Sequence, residues 1–268
     1  MAEKDLINKP KDLVEPTPEE MAKAEKEIVA LEKNEELPIT IKEEKEVSKA
    51  EKERARIVDS WVPKTQLGKD VKSGKEKSID KILESGRKIL ESEIIDYILK
   101  VDSDLLAVGQ AKGKFGGGKR RAWRQTQKKT MEGNVTSFSS MAVIGDRNGH
   151  VGIGMGKSKE TLPSREKAIR NAKLNIMKIT RGFETKEAPG SEPHTIPFAV
   201  KGKCGSVRIK LIPAPRGTGL VVGDECKKIL RLAGIKDVYS MTKGQTRTVF
   251  NFAKACVDAL KKTNKILL

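Results

Sequence analysis

The chain has 268 residues, with 54 Lys/Arg against 37 Asp/Glu, for a formal net charge of +17. A protein this basic repels itself unless a polyanion screens it, so nucleic acid is the expected partner and an anionic membrane surface the rival. No apolar stretch approaches the roughly 18–20 residues of a membrane span. The N-terminal MAEKDLINKP has no apolar signal core, and Cys204, Cys226 and Cys256 form no C-x-x-C pair, which points to reduced thiols in the cytosol. With only His150 and His194 as imidazoles, a His/Cys zinc site is not expected.

The charge is unevenly placed. Residues 1–60 hold 12 Lys/Arg and 17 Asp/Glu, a net of −5, so the remainder carries +22. Thr17, Pro18 and Glu20 read as a helix start of the capping-box kind, and Met21, Ala24, Ile28 and Leu31 follow on one face. The stripe is narrow, so this extension is expected to be solvated or to dock on a neighbour. Residues 61–108 read as small packing helices. One starts at Ser78 and stops at Gly86, and another spans 90–99 with Ile94, Ile95, Ile98 and Leu99 inward.

Residues 109–134 change character. Between 112 and 129 stand eight basic residues and no acidic one: Lys112, Lys114, Lys119, Arg120, Arg121, Arg124, Lys128 and Lys129. Gly116, Gly117 and Gly118 forbid a stable helix here. A β-hairpin follows: VTSFSSMAVIG, a turn at Asp146-Arg147-Asn148-Gly149, and HVGIGMGK. Gly152, Gly154 and Gly156 alternate with Val151, Ile153 and Met155, leaving one strand face as bare backbone that a helix or ligand can approach. A helix from Pro163 to about Thr180 is predicted, with Ile169, Ala172, Ile176 and Ile179 as its core stripe. Residues 182–193 read as a linker. Beyond it come a second hairpin in IPFAVKGKCGSVRIKLIPA, a helix over 223–233 closed by Gly234, a short strand over 238–241, and a helix over 246–262. Cys226 and Cys256 fall on core positions of these helices.

The stretch GIGMGKS resembles a phosphate loop but fails its spacing. G-x-x-x-x-G-K-[S/T] needs a glycine where Val151 stands, and Lys159 to Pro163 separate the motif from the next helix. No catalytic triad, H-E-x-x-H or paired carboxylate emerges. The 112–129 run has a bland reading as a solvated face. Lacking acids and rich in glycine, it also suits a phosphate backbone, with Phe115 and Trp123 able to stack on a base. From Pro193 to Gly223 there is no Asp or Glu, while Lys201, Lys203, Arg208, Lys210 and Arg216 are present. PAPRGTG (213–219) combines stiffening prolines with glycines that admit a neighbour. Aromatics are too few for a repeated stacking platform, so recognition through phosphate, sugar and shape is expected.

Five blocks carry a resemblance to a known family: AVIGDRNGHVGIGMGKSKE (142–160), AIRNAKLNI (168–176), PHTIPFAVKGKCGSVRIKLIPAPRGTGLV (193–221), AGIKDVYS (233–240) and NFAKACVDAL (251–260). With WVPKTQLGKDVKSGK and ILESEIIDYIL upstream, the chain resembles the small-subunit ribosomal protein S5 family (ribosomal protein five), in its archaeal and eukaryotic branch, from about Trp61 to Lys262. The resemblance implies an α+β architecture with a double-stranded-RNA-binding-like domain with a basic glycine-rich loop (109–182) and a C-terminal S5 α/β domain with a left-handed crossover (193–263), to which the residues themselves add a helical extension (1–60) that the family does not match and small packing helices (61–108). It also implies a structural, non-enzymatic role in the cytoplasm, on small-subunit ribosomal RNA near the decoding region and the path by which messenger enters. Ribosomal proteins four, eight and three are the expected neighbours.

The expected RNA-binding residues are the eight cations of 112–129 together with Arg147, Lys157, Lys159, Lys201, Lys203 and Arg216, while Arg208 matches a family arginine at the boundary with protein four. Residues 127–133 (QKKTMEG) occupy the family's first RNA-touching loop, linked to translational accuracy. The chain has Asn134 and Val135 where the family usually has basic residues, and 116–121 is an insertion. No cofactor, metal, membrane or small-molecule substrate is implied. A free RNA chaperone and a kinase of the same C-terminal fold stand as alternatives.

Overall fold

The structure, a computed structural model, describes residues 60–110, 120–183 and 192–264. The helices expected in the N-terminal extension, Lys112, Lys114, Phe115, Lys119, the three consecutive glycines and most of the linker therefore lie outside the described residues.

Three short helices come first: α1 (Gln66–Lys72), α2 (Ile79–Glu84) and α3 (Glu93–Ile98). Thr65 caps α1, its side chain accepting from the Gly68 N–H at 3.1 Å. Glu91 gathers the segment ahead of α1 by accepting from Trp61 Nε1 at 2.8 Å and from the Lys64 and Thr65 amides at 3.0 and 2.6 Å. Desolvation alone would raise the pKa of this carboxyl, but these hydrogen bonds overcome it and hold it below the usual range. Ile79, Ile82, Ile89, Ile94 and Ile95 are buried together with Ala142, Ile144, Ala168 and Ala172.

The first sheet contains β1 (Asp102–Leu105), β2 (Trp123–Thr130), β3 (Gly133–Gly145), β4 (His150–Ser158) and β5 (Ile176–Lys178), in the order β1-β3-β4-β5 with β2 also on β3. β1 and β2 lie end to end along one edge of β3, pairing with 142–145 and 133–140 respectively, and β4 takes the other edge. Helix α4 (Thr161–Leu174) covers one face. The bare glycine face is where it sits: a Cβ on Gly154 would lie 2.1 Å from the Ala172 amide nitrogen, and one on Gly156 2.1 Å from the Ser164 carbonyl oxygen. Ser164 and Ser140 join helix to sheet with buried hydroxyls 2.9 Å apart.

Three local expectations give way here. The helix ends at Leu174 rather than near Thr180. Asn175 turns back to donate to Asn171 O at 2.9 Å, and 176–178 take the free edge of β4 as β5. The segment read as helical through 108 contains β1, whose Asp-Ser-Asp-Leu has little strand preference and is extended because it pairs with β3. The basic segment read as a loop is strand β2 from Trp123 onward. Its polar residues face solvent on both sides, so hydrophobic alternation could not reveal it.

The second sheet runs β6 (Val200–Cys204), β7 (Val207–Pro213), β9 (Val238–Lys243), β8 (Leu220–Val221), with β8 parallel to β9. Between β8 and β9 lies α5 (Asp224–Leu232), and α6 (Val249–Lys261) follows β9. Both helices pack on one face of this sheet, burying Val207, Ile209, Leu211, Ile229, Leu230 and Phe252. Cys226 and Cys256 meet in this core, as their sequence positions implied. Its hydrogen bond to Cys256 and burial push the Cys226 thiol well above its ordinary range.

The two sheets share one core, since Met141, Val143 and Val151 pack with α5 and α6 residues. Polar ties reinforce it: Lys228 Nζ donates to Leu105 O at 2.7 Å, and Glu225 accepts from the Ala107 amide at 2.8 Å.

Candidate nucleic-acid interface

Each sheet has helices on one face and leaves part of the other open, and strand alternation decides which side chains reach that open side. In the first sheet Arg124, Ser139 and Lys157 form one cross-strand row, with Arg124 paired to Ser139 and Ser139 to Lys157. The two cations are therefore roughly 10 Å apart across two strand spacings. Lys128 shares their face, about 13 Å further along β2. Met155 lies exposed in the adjoining row, on the same side. Among the described residues none of these three cations has a carboxylate partner.

Beyond Phe138, β3 has no partner except β2, so residues 126–137 form a two-stranded arm closed by Met131 and Glu132. Thr126 Oγ1 and Ser137 Oγ, 2.9 Å apart, hold it across the ladder. Lys128, Lys129 and the fully exposed Met131 occupy its distal part. The loop expected over 127–133 is thus the end of a hairpin. At its base the Gly109 amide donates to Arg121 O at 2.9 Å, bringing residues 109 and 121 together. Arg120 and Arg121 are exposed there. Trp123 is half-buried with Arg165 stacked 5.0 Å from its ring centroid, so one face of the expected stacking ring is already taken.

The second sheet presents a more continuous surface. The row Lys203–Arg208–Lys243 lies beside the row Lys201–Lys210–Met241, all on the face away from α5 and α6. Together with Gly202, Ile209 and Lys262 they line a shallow depression of about 440 Å³ with no carboxylate in its wall. Like charges opposite one another destabilise a sheet unless something neutralises them. Lys262 is the exception, paired with Asp258 at 3.0 Å. The sequence groups Lys201, Lys203, Arg208 and Lys210 in one acid-free stretch, but Lys210 and Lys243 are not among the expected contacts. The alternation Lys201-x-Lys203 and Arg208-x-Lys210 would have found Lys210, whereas Lys243 joins only through the β7–β9 register.

The other expected residues lie elsewhere. Lys159 is exposed just past β4. Arg216 is exposed in the turn after β7, where Asp237 Oδ1 accepts from the Gly219 amide at 2.7 Å. Arg147 sits at the β3–β4 turn, the opposite end of the sheet from the Arg124 row, with a left-handed backbone (φ 60°). Among the described residues no three His, Cys, Asp or Glu side chains are placed to hold a metal ion. No helix among them is long and apolar enough to cross a membrane.

Comparison with known proteins bears on this surface. Residues 122–180 match the family described as Ribosomal protein S5, N-terminal domain, and residues 202–267 match Ribosomal protein S5, C-terminal domain. The chain is 47% identical to small ribosomal subunit protein uS5 of Nanoarchaeum equitans over 210 residues, covering 78% of this chain and 90% of that protein. It is also 47% identical to the uS5 of Hyperthermus butylicus (79% and 93% covered) and 44% identical to that of Aeropyrum pernix (78% and 90%).

Proposed function

Since the chain belongs to the ribosomal protein S5 family, a structural, non-enzymatic family of the small ribosomal subunit, we propose that it binds small-subunit ribosomal RNA through its open sheet faces and its basic arm. Its location is the cytoplasmic small subunit. In this reading 109–182 act as a double-stranded-RNA-binding-like domain and 193–263 as the C-terminal S5 domain. The cations neutralise phosphates at a junction of RNA helices, and the rigid hairpins fix the relative position of those helices. That supports subunit assembly and, near the decoding region and the path by which messenger enters, translational accuracy. Arg124, Lys128, Lys129, Lys157, Lys159, Lys201, Lys203 and Arg216 are the phosphate contacts, joined by Lys112, Lys114, Lys119, Arg120 and Arg121 from the basic glycine-rich loop. Arg208 stands at the margin toward protein four, and proteins eight and three are the further neighbours.

One observation carries the reading: the second sheet exposes Lys201, Lys203, Arg208, Lys210 and Lys243 in adjacent rows with no acid among them. Each Lys or Arg that neutralises a phosphate releases counterions, so affinity falls steeply with salt. The test is binding of the whole chain to small-subunit ribosomal RNA, titrated across potassium chloride concentration. The expected result is tight binding at low salt with a steep salt slope, made shallower in a K201Q/K203Q/K243Q variant. Equal affinity of variant and wild type at every salt concentration would remove this face from the interface.

A further inference from the structure

A second basic feature lies where the two sheets meet. The β3–β4 turn of the first sheet faces the end of α5 and the segment leading into β9, leaving a cleft of about 780 Å³ lined by Arg147, Arg181, Lys227, Arg231 and Lys236, with Glu192 as its one acid. Lys227 and Arg231 come from a segment read from the sequence as an ordinary helix, and Glu192 from the linker.

The backbone around the cleft is fixed. The Arg147 amide donates to Leu232 O at 2.9 Å, and Arg181 Nη1 donates to Arg147 O at 3.2 Å. Gly234, at φ +80°, packs so closely that a Cβ there would lie 1.9 Å from Arg147 O. The left-handed conformation and the close approach both require glycine. The cations are thus carried by a junction that cannot readily open to relieve their repulsion.

Their charge is only partly answered. Arg147 pairs with Asp102 at 2.9 Å, Lys227 with Asp224 at 3.4 Å and Lys236 with Glu192 at 3.2 Å, all between solvent-exposed groups. Such exposed pairs contribute little and exchange readily. Arg181 donates to a neutral carbonyl, and Arg231 has no carboxylate partner among the described residues. Two guanidinium groups without counter-ions in one cleft fit phosphate oxygens, which planar guanidinium recognises in bidentate fashion.

We infer that this junction cleft is a separate phosphate-backbone site, in which an RNA strand lies against both sheets at once with Arg181, Arg231 and Lys227 as its principal anchors. The inference rests on the RNA-binding reading above and adds to it a contact that couples the two sheets to one RNA segment. An acidic protein segment is the other chemistry that could seek these cations. Five cations against a single acid in the lining, two of them guanidinium groups without a carboxylate partner, favour a strand carrying regularly repeated phosphate charge.

The test uses the full chain, small-subunit ribosomal RNA and a K227Q/R231Q variant, whose changes lie on the solvent side of α5. The log-affinity against log-salt slope of the variant is expected to be shallower by about two units, roughly one for each phosphate that is no longer neutralised. It should melt at the wild-type temperature, and an R181Q variant should lower the slope by about one unit more. Wild-type binding with an unchanged slope in K227Q/R231Q would overturn the cleft while leaving the open-face reading intact. Absence of wild-type RNA binding would overturn both. Charge-dependent binding of polyglutamate by the wild type, abolished in the variant while RNA affinity is unchanged, would reassign the cleft to an acidic protein partner.

Discussion

His150 Nε2 lies 3.0 Å from Asp80 Oδ1, joining the start of β4 to helix α2 across 70 residues of sequence. Its other ring nitrogen, Nδ1, is 2.6 Å from Asp146 Oδ2. Asp146 also accepts from the Asn148 and His150 amides at 2.8 and 3.0 Å, which shapes the hairpin turn. Lys178 on β5 reaches the same Asp80 oxygen at 3.2 Å. The cluster ties the small helices to the sheet edge that carries the Arg147 turn.

These contacts set a pH window. The Asp146 hydrogen bond, opposed by desolvation and aided by Asp80, raises the His150 pKa above its ordinary 6.5. That stabilisation is complete below about pH 6.5 and is lost as pH rises through the raised folded value. For Asp80 and Asp146 desolvation works upward, but the bonds to His150, Lys178 and the turn amides prevail and lower them below 3.8. Their contribution is present above that value and fades as pH falls through the lowered one. The melting temperature of the wild type should therefore decline from pH 6 to 8 through this cluster. His150→Gln should flatten that limb while lowering stability near pH 6. An identical pH profile in the two proteins would show that His150 is not responsible.

Gly154→Ala places a methyl group 2.1 Å from the Ala172 amide nitrogen and 2.3 Å from the Ala168 carbonyl oxygen. Backbone on both sides cannot yield as a side chain would, so α4 must lift from the sheet at a cost of about 1–3 kcal/mol or more. Urea unfolding should show a lower midpoint with a similar slope. A midpoint equal to that of wild type would mean that α4 is not seated on the β4 glycines.

Ser164→Ala removes a buried hydroxyl that contacts Ser140 Oγ at 2.9 Å and the carbonyls of Gly156 and Phe138 at 3.1 and 3.2 Å. The Ser140 hydroxyl is then stranded between helix and sheet, at a cost of about 1–3 kcal/mol. Adding Ser140→Ala should cost less than the sum of the two single changes, because the stranded group goes with it. A double-mutant cycle on thermal unfolding measures the difference, and strict additivity would show that the two hydroxyls do not interact.

Thiol chemistry should follow burial. Cys226 and Cys256 are buried between α5 and α6, whereas Cys204 at the end of β6 is partly accessible. Brief alkylation of the native protein should label Cys204 alone, with the other two reacting only in denaturant. Mass spectrometry of peptides resolves the three, and early labelling of Cys226 would contradict the packing of the two helices.

The features legible in the sequence are those set by neighbouring residues. The Asp-Arg-Asn-Gly turn, the glycine alternation of β4, the Ser78 helix start and the core thiols each depend on local backbone preference or on the period of a single element. That physics is contained within about ten residues, so the family-bearing blocks and the hairpins can be read in advance. What the tertiary structure alone decided are the elements and surfaces made by distant partners. β1 and β5 are strands because open edges of β3 and β4 accept them. Lys243 joins Lys203 through a register set across β7. Arg231 and Arg181 share a cleft because Leu232 and Gly234 pack against the Arg147 turn. A charged side chain carries no local mark of the face it will occupy. That is settled when α5 and α6 bury one side of the second sheet and leave its lysines on the other.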